Sequence, residues 1–209
     1  MTNALDDSLC AETTALLIVD VQPEYWSDCP AVRKDFPDFP QKLERTIQAC
    51  RERKIQIIWI RANYRQEHSP WLRQFGKLKN RVSRSDTMIE VPYEPDAPEF
   101  GWEKFATPEK DEVVLPKTSW SSTSNTNLIK SLKVDKIDSV LVCGLITSVC
   151  VQHSAFGIFE AGFRTLLVED ACADRGRDRH EAAIKLYGNY MYELTCSEKL
   201  EKEKHWSSF

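Results

Sequence analysis

The run Ala15-Leu16-Leu17-Ile18-Val19-Asp20 limits the folds open to this chain. Its apolar residues follow one another without a polar face, so a strand here is buried on both sides, as in a parallel sheet covered by helices. Ile55-Gln56-Ile57-Ile58-Trp59-Ile60, Glu112-Val113-Val114-Leu115-Pro116-Lys117, Ser139 to Cys143, and Phe163-Arg164-Thr165-Leu166-Leu167-Val168 have the same strand character, and Met191-Tyr192-Glu193-Leu194 forms a short sixth. Helical spacing fills the intervals. Leu43, Thr46, Ile47 and Cys50 share one face over 40–53, Ser124 or Asn125 caps a helix through Leu132, and 178–188 reads as another. Such alternation predicts an α/β fold, a three-layer α/β/α arrangement around a mostly parallel six-stranded sheet. One domain over 1–209 is expected, interrupted at about 62–111 by a long loop insertion rich in charge and proline. Within the insertion a basic run (Arg73, Lys77, Lys79, Arg81, Arg84) precedes acidic residues.

Three of these segments end on reactive side chains. Asp20 closes the first apolar run and Lys117 the third. A charged residue at the end of a buried strand emerges at the sheet's C-terminal edge, where open α/β sheets place ligands. After the fourth strand, Gly144-Leu145-Ile146-Thr147-Ser148-Val149-Cys150-Val151 leads into residues at helical spacing (Val151, Ala155, Ile158, Phe159, Gly162). Thr147 and Ser148 are candidate N-caps, which puts Cys150 in the first helical turn. Free backbone N–H groups and the positive end of the helix dipole lower a thiol pKa there. Each residue also has a plainer reading: a solvated strand end for Asp20 or Lys117, a small buried hydrophobe for Cys150.

Composition excludes several classes of partner. A net charge of −4 gives no general attraction to nucleic acid or an anionic membrane. The acidic segment Met1-Thr2-Asn3-Ala4-Leu5-Asp6-Asp7 has no apolar core of a signal peptide, and no stretch reaches the apolar length of a membrane span. The 7 cysteines lack disulfide or metal spacing, so free thiols in a reducing, cytoplasmic setting are expected.

The ordered motifs resemble the isochorismatase-like cysteine hydrolases. Val19-Asp20-Val21-Gln22 with Tyr25 is similar to that family's opening motif, which usually carries Phe where Tyr25 stands. Lys117, Ser121 and Thr126-Asn127-Leu128 resemble its lysine motif, with Thr123 where an aromatic is usual and Trp120 ahead of it. Gly144 to Val151 resembles the nucleophile motif; Val168-Glu169-Asp170-Ala171-Cys172-Ala173 and His180-Glu181-Ala182-Ala183 resemble the closing strand and helix.

The resemblance implies a Rossmann-like sheet, a catalytic set of Asp20, Lys117 and Cys150, and no cofactor. It also implies a cis peptide between Leu145 and Ile146, with the N–H groups of Ile146 and Cys150 as oxyanion donors. Tyr25, Trp26, Arg61 and Trp120 lie near strand ends and are candidate pocket residues, although packing and loop anchoring explain each equally well. The metal-dependent nicotinamidases of the superfamily carry an Asp-x-His motif after the second strand. Arg61-Ala62-Asn63-Tyr64 stands there instead, followed by the single His68, so no metal site is expected. His153 and His180 have no assigned role. Three functions remain open at this point: a hydrolase that cleaves an amide or ureide C–N bond through a Cys150 thioester, an isochorismatase that cleaves a vinyl ether to release pyruvate, and a silent interaction protein. Retention of Cys150 favours the first, acting on a small molecule, and a homo-oligomer is expected.

Overall fold

A computed structural model of the chain describes residues 9–64, 69, 71–72, 74–75 and 101–202. Its strands are β1 (Thr14–Val19), β2 (Gln56–Ala62), β3 (Val113–Lys117), β4 (Ser139–Leu145), β5 (Arg164–Ala173) and β6 (Glu193–Thr195). They form a six-stranded sheet in the order β3-β2-β1-β4-β5-β6. Every neighbouring pair is parallel, so the sheet goes beyond the mostly parallel arrangement expected. From β1 the chain steps outward to β2 and β3, then returns to the opposite side of β1 with β4. The C-terminal ends of β1 and β4 therefore flank the switch point at which open α/β sheets bind ligands.

Helices α1 (Pro30–Asp35), α2 (Phe39–Glu52), α3 (Thr126–Val134), α4 (Gln152–Glu160), α5 (Arg177–Tyr187) and α6 (Ser197–Lys202) flank the sheet. The apolar stripe of α2 (Phe39, Leu43, Ile47 and Cys50, with Thr46) is buried against β5 and α6. Asn125 caps α3, its side-chain oxygen accepting from the Asn127 N–H at 3.0 Å. Where the chain enters β3 after the insertion, Arg51 donates to the Glu112 carboxylate at 2.9 and 3.0 Å, and Trp59 Nε1 donates to it at 2.7 Å. This anchor fixes the start of the strand that ends on Lys117.

Local pattern alone misleads at three places. The third apolar run does not form a strand buried on both faces. As the edge of the sheet, β3 alternates, and Val114 is 41% exposed. Phe159, expected on the inner face of its helix, is 44% exposed, because Ala155 and Ile158 already fill the space against the sheet. β5 continues past Val168 to Ala173, since a register shift between Val142 and Gly144 keeps it paired with β4 as far as Leu145–Ala173. Residues 77–99, with most of the insertion's charge pattern, lie outside the described residues, as does His68. Among the described residues no helix is long and apolar enough to cross a membrane.

Candidate active site

Asp20, Lys117 and Cys150 come together at the C-terminal edge of the sheet. Asp20 follows β1 directly and turns the chain with φ of 51°, a left-handed conformation that a short polar side chain tolerates. Its N–H donates to the Ile60 carbonyl at 3.0 Å, which ties it to β2. Lys117 is the last residue of β3, in register with Ala62. Gln22 holds that region in place: its side-chain oxygen accepts from the Ala62 N–H at 2.8 Å. Asp20 and Lys117 are fully buried and form an ion pair at 2.9 Å.

Cys150 lies in a single π-helical turn, Thr147–Val151, between β4 and α4. Neither candidate cap acts as one. The Thr147 hydroxyl is shared with His180 Nδ1 at 2.9 Å, and the Ser148 N–H is bound by Asp174 Oδ2 at 2.6 Å. A carboxylate from the end of β5 thus does the capping, and a charged acceptor is stronger than a hydroxyl. The Leu145–Ile146 peptide is cis.

Lys117 Nζ sits 3.4 Å from Cys150 Sγ, so one ammonium touches both carboxylate and thiol. The electrostatics reverse the expectation of a depressed thiol pKa. Burial pushes Cys150 up to about 12, with Asp20 adding to that and Lys117 and Tyr64 pulling against it. Burial likewise raises Asp20, against the pull of Lys117. Burial works against the Lys117 ammonium, but Asp20 and Cys150 outweigh it and hold its pKa above the ordinary range. Burial thus favours the neutral thiol and makes the Asp20 carboxylate more basic, while Asp20 and Cys150 favour the charged form of Lys117.

Residues 14–199 match the isochorismatase domain. The chain belongs to the isochorismatase family. It is 32% identical to a maleamate amidohydrolase of Pseudomonas putida over 99 residues, 47% of this chain and 46% of that one. It is 23% identical to a ureidoacrylate amidohydrolase of Rhizobium rhizogenes over 180 residues, covering 79% of this chain and 72% of that one. A cysteine hydrolase from Pseudomonas syringae shares the fold at a TM-score of 0.76, with 19% identity and 93% of each chain covered.

The remaining candidates of this isochorismatase-family hydrolase have distinct surroundings. Trp26 packs on Phe39 and Phe105, with ring centres 5.1 and 5.8 Å away, and is buried. Tyr25 is buried in the turn after β1, its N–H donating to the Gln22 carbonyl at 3.0 Å. Arg61 is half-buried near the end of β2. Trp120 belongs to an aromatic group: its ring lies 5.2 Å from Trp71, 5.9 Å from Phe75 and 5.4 Å from His153. Trp71 in turn meets Tyr64 edge-on at 5.0 Å.

Sequence reasoning missed Tyr64. Lys117 Nζ donates to its hydroxyl, and that hydroxyl lies 3.5 Å from Cys150 Sγ. The available signal was the rule that picked out Asp20 and Lys117, since Tyr64 is a polar-tipped residue just past a buried strand. His153 Nδ1 meets the Val149 carbonyl at 2.7 Å, and His180 meets Thr147; neither histidine is shown contacting the three site residues. Among the described residues, no group of three or more His, Cys, Asp or Glu side chains is placed to hold a metal ion.

Proposed function

We propose that the chain hydrolyses a C–N bond next to a carbonyl in a small amide or ureide, with Cys150 as nucleophile. The observation that carries this reading is the buried ammonium of Lys117 held between Asp20 at 2.9 Å and Cys150 at 3.4 Å. Two relatives named as amidohydrolases support the bond type. Asp20 takes the thiol proton as sulfur attacks the carbonyl carbon, a transfer made easier by the raised basicity of its carboxylate. Lys117 stays charged throughout and stabilises whichever of the two partners carries the negative charge. The tetrahedral oxyanion is met by the N–H groups of Ile146 and Cys150. As it collapses, Asp20 returns the proton to the departing nitrogen, leaving an acyl thioester on Cys150. Water then enters, Asp20 takes one of its protons, and hydrolysis of the thioester restores the thiol.

A panel of amides, ureides and isochorismate tests the reading. At least one amide or ureide is expected to turn over, and a slow member of that group should add its acyl mass to the peptide containing Cys150. Turnover of isochorismate alone, with no adduct, would transfer the assignment to vinyl ether cleavage.

Metal removal should have no effect. Arg61-Ala62-Asn63-Tyr64 replaces the Asp-x-His pair that metal-dependent relatives use. Full activity after exhaustive chelation, and less than stoichiometric zinc or iron by elemental analysis, is the expected outcome. One tightly held metal per chain would contradict it.

A further inference from the structure

We propose that Tyr64 is a further catalytic residue, its phenol donating the hydrogen bond that stabilises the Cys150 thiolate. The inference rests on the cysteine-hydrolase reading, because it needs Cys150 to carry charge during turnover. Counting donors leads to it. A lysine ammonium has about three N–H donors to place and no acceptor. Around Lys117 Nζ lie the Asp20 carboxylate at 2.9 Å, the Ser119 carbonyl at 3.0 Å and the Tyr64 hydroxyl. The Cys150 sulfur is a fourth neighbour, more distant at 3.4 Å. Lys117 Nζ donates to that sulfur over this longer distance, and a thiolate there would gain from a second donor beside it.

Tyr64 is placed to be that second donor. Its oxygen accepts from Lys117, because an ammonium can only donate. The phenol then faces the sulfur 3.5 Å away as a donor, since a thiolate can only accept. Donation from Lys117 polarises the phenol and strengthens it as a donor in turn. The ring is held for this task. Tyr64 is buried, the Lys117 ammonium lies over its face 4.6 Å from the centre, and Trp71 meets it at 5.0 Å. Its backbone is placed by β3: the preceding residue, Asn63, donates its N–H to the Lys117 carbonyl at 2.8 Å. The phenol thus carries the positive influence of Lys117 to the sulfur.

Tyr64→Phe keeps the ring and its packing and removes only the O–H. The readout is the rate at which iodoacetamide alkylates Cys150 from neutral to mildly alkaline pH, followed by peptide mass mapping so that the other thiols are counted separately. Labelling rises with pH in both proteins, because burial holds the Cys150 thiol protonated. In the variant it should be about 10- to 100-fold slower at each pH, the loss of a hydrogen bond to a charged acceptor. A merely structural change would open space beside the sulfur and speed labelling. Incorporating 3-fluorotyrosine at position 64, a more acidic phenol, should accelerate labelling near neutral pH and decides the matter if the Phe variant does not fold. Labelling that is unchanged or faster in Tyr64→Phe, or unmoved by the fluorinated ring, overturns the inference. Full amide turnover by Cys150→Ala would overturn the cysteine reading and this inference with it. An inactive Cys150→Ala combined with an unmoved Tyr64→Phe profile would overturn the inference alone.

Discussion

Replacing either Cys150 or Asp20 by Ala lowers amide turnover by about a thousandfold or more, and replacing both lowers it little further. The two residues handle one proton between them. Without the thiol there is no acyl acceptor. Without the carboxylate, the described neighbours of the sulfur, Lys117 and Tyr64, offer no ready base for a thiol that burial pushes up to about 12. Asp20→Ala also strands the fully buried Lys117 ammonium, so Asp20→Asn belongs beside it as a variant of similar shape, with folding checked by circular dichroism. The decisive pattern lies in the comparison of substrates. If Cys150→Ala keeps its activity on isochorismate while Asp20→Ala loses it, the thioester reading fails. Vinyl ether cleavage then takes its place, because that chemistry asks for a proton on carbon and no sulfur nucleophile.

Gly144→Ala is expected to destabilise the fold by on the order of 4 kcal/mol, from backbone strain and overpacking together. Gly144 has φ of 117°, and an added Cβ would lie 2.2 Å from the Val19 carbonyl oxygen and 2.8 Å from the Val19 nitrogen. These are backbone atoms, so no rotamer change relieves the clash. Gly144 and Val19 are register partners; Val19 immediately precedes Asp20, and Gly144 lies on the strand that leads into the turn holding Cys150. The close approach of β1 and β4 therefore sets the separation of base and nucleophile. Urea titration gives the loss from the change in midpoint at constant slope. A loss below about 1 kcal/mol would mean that β1 moves aside easily, and the spacing argument would fall.

The elements of the fold were legible because their cause is local. An apolar run without a polar face at Ala15–Val19 can be satisfied only between two layers, and a stripe such as Leu43, Ile47 and Cys50 only against a sheet. Asp20 and Lys117 were legible for a related reason, as charges that close apolar strands. Other features depend on what the chain brings from far away. Tyr64 reaches partners 53 and 86 residues distant, and the carboxylate that caps Ser148 lies 26 residues further on. The position of Tyr64 just past a buried strand hints at the site, but nothing within a short window names its partners or marks Asp174 as a cap. The direction of the thiol pKa was misjudged because a helix terminus is a property of local sequence, whereas depth of burial belongs to the assembled layers. Local pattern likewise could not place β3 at the edge, since strand order is set by the crossovers.

That edge position gives Pro116 a significance apart from chemistry. An exposed edge strand is a template on which another chain can add a strand, the usual start of sheet-to-sheet aggregation. Pro116, immediately before Lys117, has no N–H to offer, and its carbonyl is already taken by Asn125 Nδ2 at 2.8 Å. The last step of β3 is closed to a foreign strand from both sides of its peptide chemistry. At the opposite edge, β6 spans only three residues, Glu193–Thr195, too short to seed an extended ladder. A sheet with so apolar an interior is thereby kept from growing sideways, and its most vulnerable border is sealed next to the lysine of the site.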